Sequence, residues 1–178
     1  MKTILDKQKF QIVIERLAHQ LIENHIDFSD SVIIGIQPRG VLLAQRIVTH
    51  IESILNKTIP YGQLDITFYR DDFHKSSDQL PIPMETQINF SFNEKKVILI
   101  DDVLFTGRTI RCAFDALLDF GRPSKVELLT LIDRRFRREF PIQADYVGLT
   151  IDSLIHQKVK VNWQEQVEKD EVILFDKK

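Results

Sequence analysis

One stretch constrains this chain more than any other: Val97-Ile98-Leu99-Ile100 runs without a break into Asp101-Asp102 and then Val103-Leu104-Phe105-Thr106-Gly107-Arg108-Thr109. Four consecutive apolar residues, two of them isoleucine and one valine, suit a strand buried on both faces, as in a parallel sheet. Such a strand delivers two adjacent carboxylates to its C-terminal tip. The small-residue loop that follows opens a helix, marked by Ile110, Ala113, Phe114, Leu117 and Leu118 at helical spacing. The first turn of a helix offers unpaired N–H groups and a positive dipole end, which together bind phosphate. Thr106 and Thr109 add hydroxyl donors, and Gly107 lets the backbone approach closely. Neighbouring carboxylates suit instead a vicinal diol or a hard cation. A ligand with a phosphate at one end and a ribose diol beside it satisfies both demands.

The rest of the chain repeats the strand–helix alternation. Phe10, Val13, Ile14, Leu17, Leu21 and Ile22 mark a helix over 7–25, and Val32-Ile33-Ile34-Gly35-Ile36 a buried strand. Pro38-Arg39-Gly40 makes a turn into a second helix that stops near Asn56. Leu64, Ile66 and Phe68 alternate with polar residues and predict a strand, after which 71–93 lose all periodicity. A stretch that long without regular structure is expected to be a lid or a disordered loop. Val126–Ile132 is a third buried-type strand, and Val147, Val159–Val161 and Val172–Phe175 suggest shorter ones. No repeat or linker divides residues 1–178, so a single α/β domain with a mostly parallel central sheet is expected, its ligand at the C-terminal ends of the strands.

Composition narrows the class. A net charge of −2 creates no global field for nucleic acid or an anionic membrane. Cys112 is the single cysteine, which excludes an intramolecular disulfide and a multi-cysteine metal site and suits a reducing cytosol. Charges interrupt the apolar residues at the N-terminus, and no segment approaches the roughly 18 apolar residues of a membrane span, so a cytoplasmic protein with no membrane partner is expected.

The 97–109 segment closely resembles the signature that binds 5-phosphoribosyl-1-diphosphate (PRPP) in type I phosphoribosyltransferases. Gly35–Gly40, Asp65-Ile66-Thr67-Phe68-Tyr69-Arg70-Asp71-Asp72, Leu131-Ile132-Asp133-Arg134 and Pro141–Gly148 resemble, in order and spacing, the PyrR family of bifunctional pyr-operon attenuators and uracil phosphoribosyltransferases. The resemblance spans the chain from the first helix to about Val161. It implies the type I fold, with helices flanking the sheet and a small C-terminal hood. The implied reaction is Mg²⁺-dependent: uracil and PRPP give UMP and pyrophosphate.

It also implies roles. Asp101 and Asp102 hold the ribose hydroxyls, and the loop Val103, Leu104, Phe105, Thr106, Gly107, Arg108 and Thr109 receives the 5′-phosphate. Arg39, flanked by Pro38 and Gly40, contacts the diphosphate. Arg70, with Asp71 and Asp72, begins a lid over the substrate. Asp133 is placed as a metal ligand, and Arg134 and Val147 as substrate contacts. A homo-oligomer is implied as well.

The sequence departs from the family in informative places. Pro38 stands where a threonine is usual and removes one N–H donor. The 148–154 stretch differs from the family's base-binding segment, which leaves a different nucleobase as an alternative. Arg16 and His19 match the family's RNA-binding face, whereas Glu15, Asn24, Gln143 and Leu149 replace hydroxyl or basic residues, so RNA is the disfavoured partner. Arg134, Arg135, Arg137 and Arg138 pull the other way, as a cluster able to meet RNA phosphates or diphosphate. A UMP-sensing, RNA-binding regulator is therefore the alternative function.

Overall fold

The alternation of apolar strands with amphipathic helices produces a five-stranded parallel sheet in the computed structural model, which describes residues 1–70, 82–154 and 156–176. In chain order the elements are β1 (Lys2–Leu5), α1 (Lys7–His25), β2 (Ser31–Ile36), α2 (Arg39–Leu55), β3 (Tyr61–Leu64) and β4 (Lys96–Leu104). There follow α3 (Arg108–Leu118), β5 (Lys125–Arg134), β6 (Tyr146–Ile151), β7 (Gln157–Asn162), the short α4 (Gln164–Val167) and β8 (Glu171–Asp176). The sheet order is β3-β2-β4-β5-β6, every pair parallel. The strand order turns back between β2 and β4, which is where open parallel sheets bind ligands.

Helices cover both faces, as a parallel sheet requires. Ile33, Ile98, Ile100, Leu129 and Leu131 pack with the buried stripes of α1 and α2, while Val32, Ile34, Val97, Leu99 and Leu128 pack with α3. At α1 the Asp6 carboxylate accepts the Lys9 N–H at 2.9 Å, a side-chain N-cap.

One strand boundary differs from the sequence reading. The alternation Leu64–Ile66–Phe68 does not continue as a strand: β3 ends at Leu64, and Thr67–Tyr69 form a single tight helical turn with Phe68 exposed. The cause is Asp65. Its Oδ1 accepts both the Thr67 N–H (3.2 Å) and the Thr67 hydroxyl (2.7 Å), which turns the backbone out of the ladder. Within the aperiodic 71–93 stretch, residues 71–81 lie outside the described set, and Asp71 and Asp72 with them. The returning backbone meets β3 again at Gln87, which exchanges N–H···O bonds with Gln63.

The hood is more regular than its sequence suggests, and it takes a strand from the other end of the chain. β7 and β8 form an antiparallel hairpin, and β1 adds to β8 to give the sheet order β1-β8-β7. Arg46 of α2 ties this sheet to the core. Its guanidinium donates to both Glu165 oxygens (3.0 and 2.7 Å) and to Asp170 Oδ1 (2.8 Å), and lies over the rings of Phe10 and Trp163.

Candidate active site at the C-terminal strand tips

Asp101 and Asp102 sit in the C-terminal half of β4 with only 7% and 6% of their surface exposed. The Asp102 N–H donates to Asp101 Oδ1 at 2.9 Å, and Asp102 Oδ2 is buried without a hydrogen-bond partner. Burial raises both carboxyls above the usual range. Asp101 goes to about 8, driven first by desolvation and then by the charge of Asp102, with Arg39 and Arg70 partly opposing it. Asp102 is raised by burial and opposed first by Arg39. The two arginines named from sequence thus both act on the carboxylate pair, from the start of α2 and from the turn after β3.

Local chemistry explains this placement. Gly40, in the first turn of α2, lies against β4 so closely that a Cβ there would stand 2.3 Å from the Ile100 carbonyl oxygen. Any side chain would push Arg39 away from the aspartates. The Gln37–Pro38 peptide leading into the helix is cis. After β4, Gly107 adopts φ +88° as the N-cap of α3, a conformation that disfavours side-chain-bearing residues. The Thr106 hydroxyl accepts the Arg108 N–H at 3.3 Å, so the loop curls inward at the start of α3.

Thr130, which no local motif singles out, braces the strand end. Its hydroxyl is fully buried, accepts the Leu104 N–H (3.2 Å) and lies within hydrogen-bonding distance of the Asp102 carbonyl (3.3 Å) and the Ile132 carbonyl (3.1 Å). The segment after β5 folds back onto the loop between β4 and α3: the N–H groups of Glu139 and Phe140 both donate to the Thr106 carbonyl.

The remaining candidates are brought to the neighbourhood, with several of their polar groups already engaged. Asp133 is paired through Oδ1 with Arg138, whose other arm donates to the Phe105 carbonyl. Arg134 is buried; it donates to Ser153 Oγ and to the Gln157 carbonyl, both at 2.8 Å, and lies over the Phe105 ring. Val147 stands opposite Thr130, itself opposite Asp101, and its carbonyl accepts from Arg16. Arg135 donates through Nε and Nη2 to the Asp152 carboxylate at the surface.

Among the described residues no group of three or more His, Cys, Asp or Glu is arranged to hold a metal ion. The donor set nonetheless fits Mg²⁺, which binds through one or two carboxylates together with substrate phosphates rather than in an all-protein cage. The orphaned Asp102 Oδ2 is an oxygen that a cation or a ribose hydroxyl would satisfy. No helix among the described residues is long and apolar enough to cross a membrane.

A family model described as a phosphoribosyl transferase domain matches residues 1–166. A protein of Desulfosudis oleivorans named bifunctional protein PyrR is 48% identical over 171 residues, covering 96% of this chain and 94% of that protein. A Bacillus cereus protein of the same name is 42% identical over 175 residues, covering 98% and 97%. The chain belongs to the PyrR family. It is a phosphoribosyltransferase by that membership, and solved structures agree on the fold. The hypoxanthine phosphoribosyltransferase of Trypanosoma cruzi superposes with a TM-score of 0.72 at 14% identity, covering 100% of this chain and 98% of that one. The enzyme of Staphylococcus aureus of the same name gives 0.70 at 22% identity, covering 96% and 90%.

Proposed function

We propose that this PyrR-family chain transfers the phosphoribosyl group of PRPP to uracil with Mg²⁺, releasing UMP and pyrophosphate. The observation that carries the reading is a buried carboxylate pair at a strand tip, its Asp102 Oδ2 without a hydrogen-bond partner, followed within one loop by the Gly107-capped start of α3. Asp101 and Asp102 accept hydrogen bonds from the two ribose hydroxyls. The N–H groups at the start of α3, with the hydroxyls of Thr106 and Thr109, hold the 5′-phosphate. Arg39 and Arg70 face the same pair and meet the negative charge that builds on the departing diphosphate, while the carboxylates favour the positive charge developing on the ribosyl ring. Mg²⁺, when bound, neutralises the diphosphate. The protein acts in the cytoplasm and assembles as a homo-oligomer.

The test is pyrophosphate release from PRPP and Mg²⁺ against uracil, cytosine, orotate and the purine bases. Turnover with uracil supports the reading; turnover with another base moves the assignment to that base. A second reading, a UMP-sensing RNA-binding regulator, draws support from the word bifunctional in the relatives' names. Against it, Arg16 donates to the Val147 and Gly148 carbonyls at 3.0 and 2.6 Å and to Gln20, so its guanidinium is committed to holding α1 on β6. Tight RNA binding that responds to UMP, without turnover of any base, would replace the enzyme reading.

A further inference from the structure

We propose that Arg134 is a positioning residue that couples the phosphate loop to the hood, so that the acceptor base is held tightly only when the phosphoribosyl side is filled. The inference rests on the phosphoribosyl-transfer reading above and adds to it a route between the two halves of the site.

Arg134 ends β5 and is 6% exposed. On one side its Nε and Nη2 donate to Ser153 Oγ and the Gln157 carbonyl, which belong to the connection from β6 to β7 and to the first residue of β7. On the other side its guanidinium carbon lies 3.8 Å from the centroid of the Phe105 ring. Every other cation–ring pair found among the described residues is at 5.2 to 5.9 Å, so this one is a direct stack. Phe105 belongs to the phosphate loop, one residue before Thr106. Its backbone is held independently by Arg138, which donates to the Phe105 carbonyl while pairing with Asp133.

The loop therefore has two grips on the end of β5, one through a ring face and one through a carbonyl. The register sets Asp133 beside Thr150 and Arg134 beside Ile151, so both grips lie at the C-terminal end of the sheet, against the β6–β7 connection. Arg134 touches both the loop and the hood. A guanidinium suits the task because it is planar and forked: it stacks by its face and hydrogen-bonds by its edge at the same time. A phosphate that fixes the loop fixes the Phe105 ring, the ring fixes the guanidinium, and the guanidinium fixes Ser153.

The experiment is steady-state kinetics with PRPP and uracil, alongside PRPP binding in the absence of base, on wild type, Arg134→Lys, Arg134→Met and Phe105→Leu. Arg134→Lys keeps the charge and most of the bulk, and thermal melts establish that each variant is folded. The KM for uracil at saturating PRPP is expected to rise about tenfold in each variant, a larger change than that in the Kd for PRPP or in kcat. The double variant Arg134→Met/Phe105→Leu is expected to be no worse than the poorer single one, because both remove the same link. Rises that multiply in the double variant, an Arg134→Lys enzyme with wild-type constants, or losses confined to kcat overturn the coupling. Wild-type protein that turns over no base overturns the functional reading on which it rests.

Discussion

Two ends of the same parallel sheet bury carboxylates, and they treat them in opposite ways. At the N-terminal edge, Glu127 on β5 is 6% exposed yet fully engaged. It accepts from Lys125 (2.7 Å) and from the Tyr146 hydroxyl (2.8 Å), and pairs with His25 Nε2 at 3.0 Å, while His25 Nδ1 meets the Ser31 hydroxyl at 2.8 Å. Burial alone would push Glu127 up, but these partners outweigh it and hold its pKa below the usual value. At the C-terminal tip, Asp101 and Asp102 are equally buried and left without such partners, and both are raised. A buried charge that is satisfied serves the fold; one left wanting marks a candidate ligand site. The lower cluster ties the end of α1 to β2, β5 and β6, whereas the upper pair ties nothing together and points at the site.

Single changes at the two ends should separate these roles. The largest effect belongs at the tip. Asp102→Asn is expected to cut PRPP-dependent turnover by a factor on the order of 1,000, with an unchanged circular-dichroism spectrum. Near-normal turnover would remove that carboxylate from the mechanism. Next comes Glu127→Gln at the lower edge, which leaves the His25–Tyr146–Lys125 group without its anion. Denaturant titration should show a loss of about 2–3 kcal/mol of stability, with kcat/KM at low temperature within about twofold of wild type. A drop in activity without a drop in stability would break the division between the two ends.

The pH dependence of stability sharpens the comparison further. Because Asp101 is raised from 3.8 to about 8, the ligand-free folded protein binds more protons than the unfolded chain across that window. Stability conferred by the protonated form therefore declines as pH rises through it. Asp101→Asn should raise ligand-free stability at pH 8 by at least about 1 kcal/mol, the worth of roughly one pKa unit, and by less at pH 5. Glu127 works in the reverse sense: lowered in the fold, it contributes stability above its ordinary pKa that is lost as pH falls. A melting series in which Asp101→Asn gains nothing at pH 8 would contradict the raised carboxyl. The smallest effect is expected from Lys125→Ala, since the lysine side chain is 58% exposed at the rim of the lower cluster; a loss under about 1 kcal/mol fits a solvent-screened pair.

The upper end was far more legible in the sequence than the lower. Val97–Thr109 announces its strand, its carboxylates and its glycine-marked helix start in one unbroken run, because each property depends on neighbours a few residues away. Gly40 and Gly107 likewise mark local backbone demands that a turn makes visible. The lower cluster is invisible in the sequence: His25 and Glu127 are 102 positions apart, and a lone histidine at the end of a helix carries no signal of a partner. Near the tip, the arginines of 134–138 stand out as charge, yet nothing local says that Arg134 turns inward to Phe105 and Ser153 while Arg138 takes Asp133. The strand expected through Phe68 failed for a local reason that alternation overrode, the Asp65 side chain capturing Thr67.

The sequence by itself determined the alternation of strands and helices in the central domain, the parallel class of the sheet, the family and the residue pattern of the β4–α3 loop. These follow from hydrophobic period, β-branching, glycine and the unpaired amides of a helix start, all of them short-range effects. Only the tertiary structure decided that β1 joins β8 in the hood, that Thr130 braces the end of β4, and which buried carboxylates have partners. Those outcomes depend on which strands become neighbours and how deeply each tip is covered. Desolvation and hydrogen bonding between distant residues are set by that packing, and no local pattern along the chain encodes them.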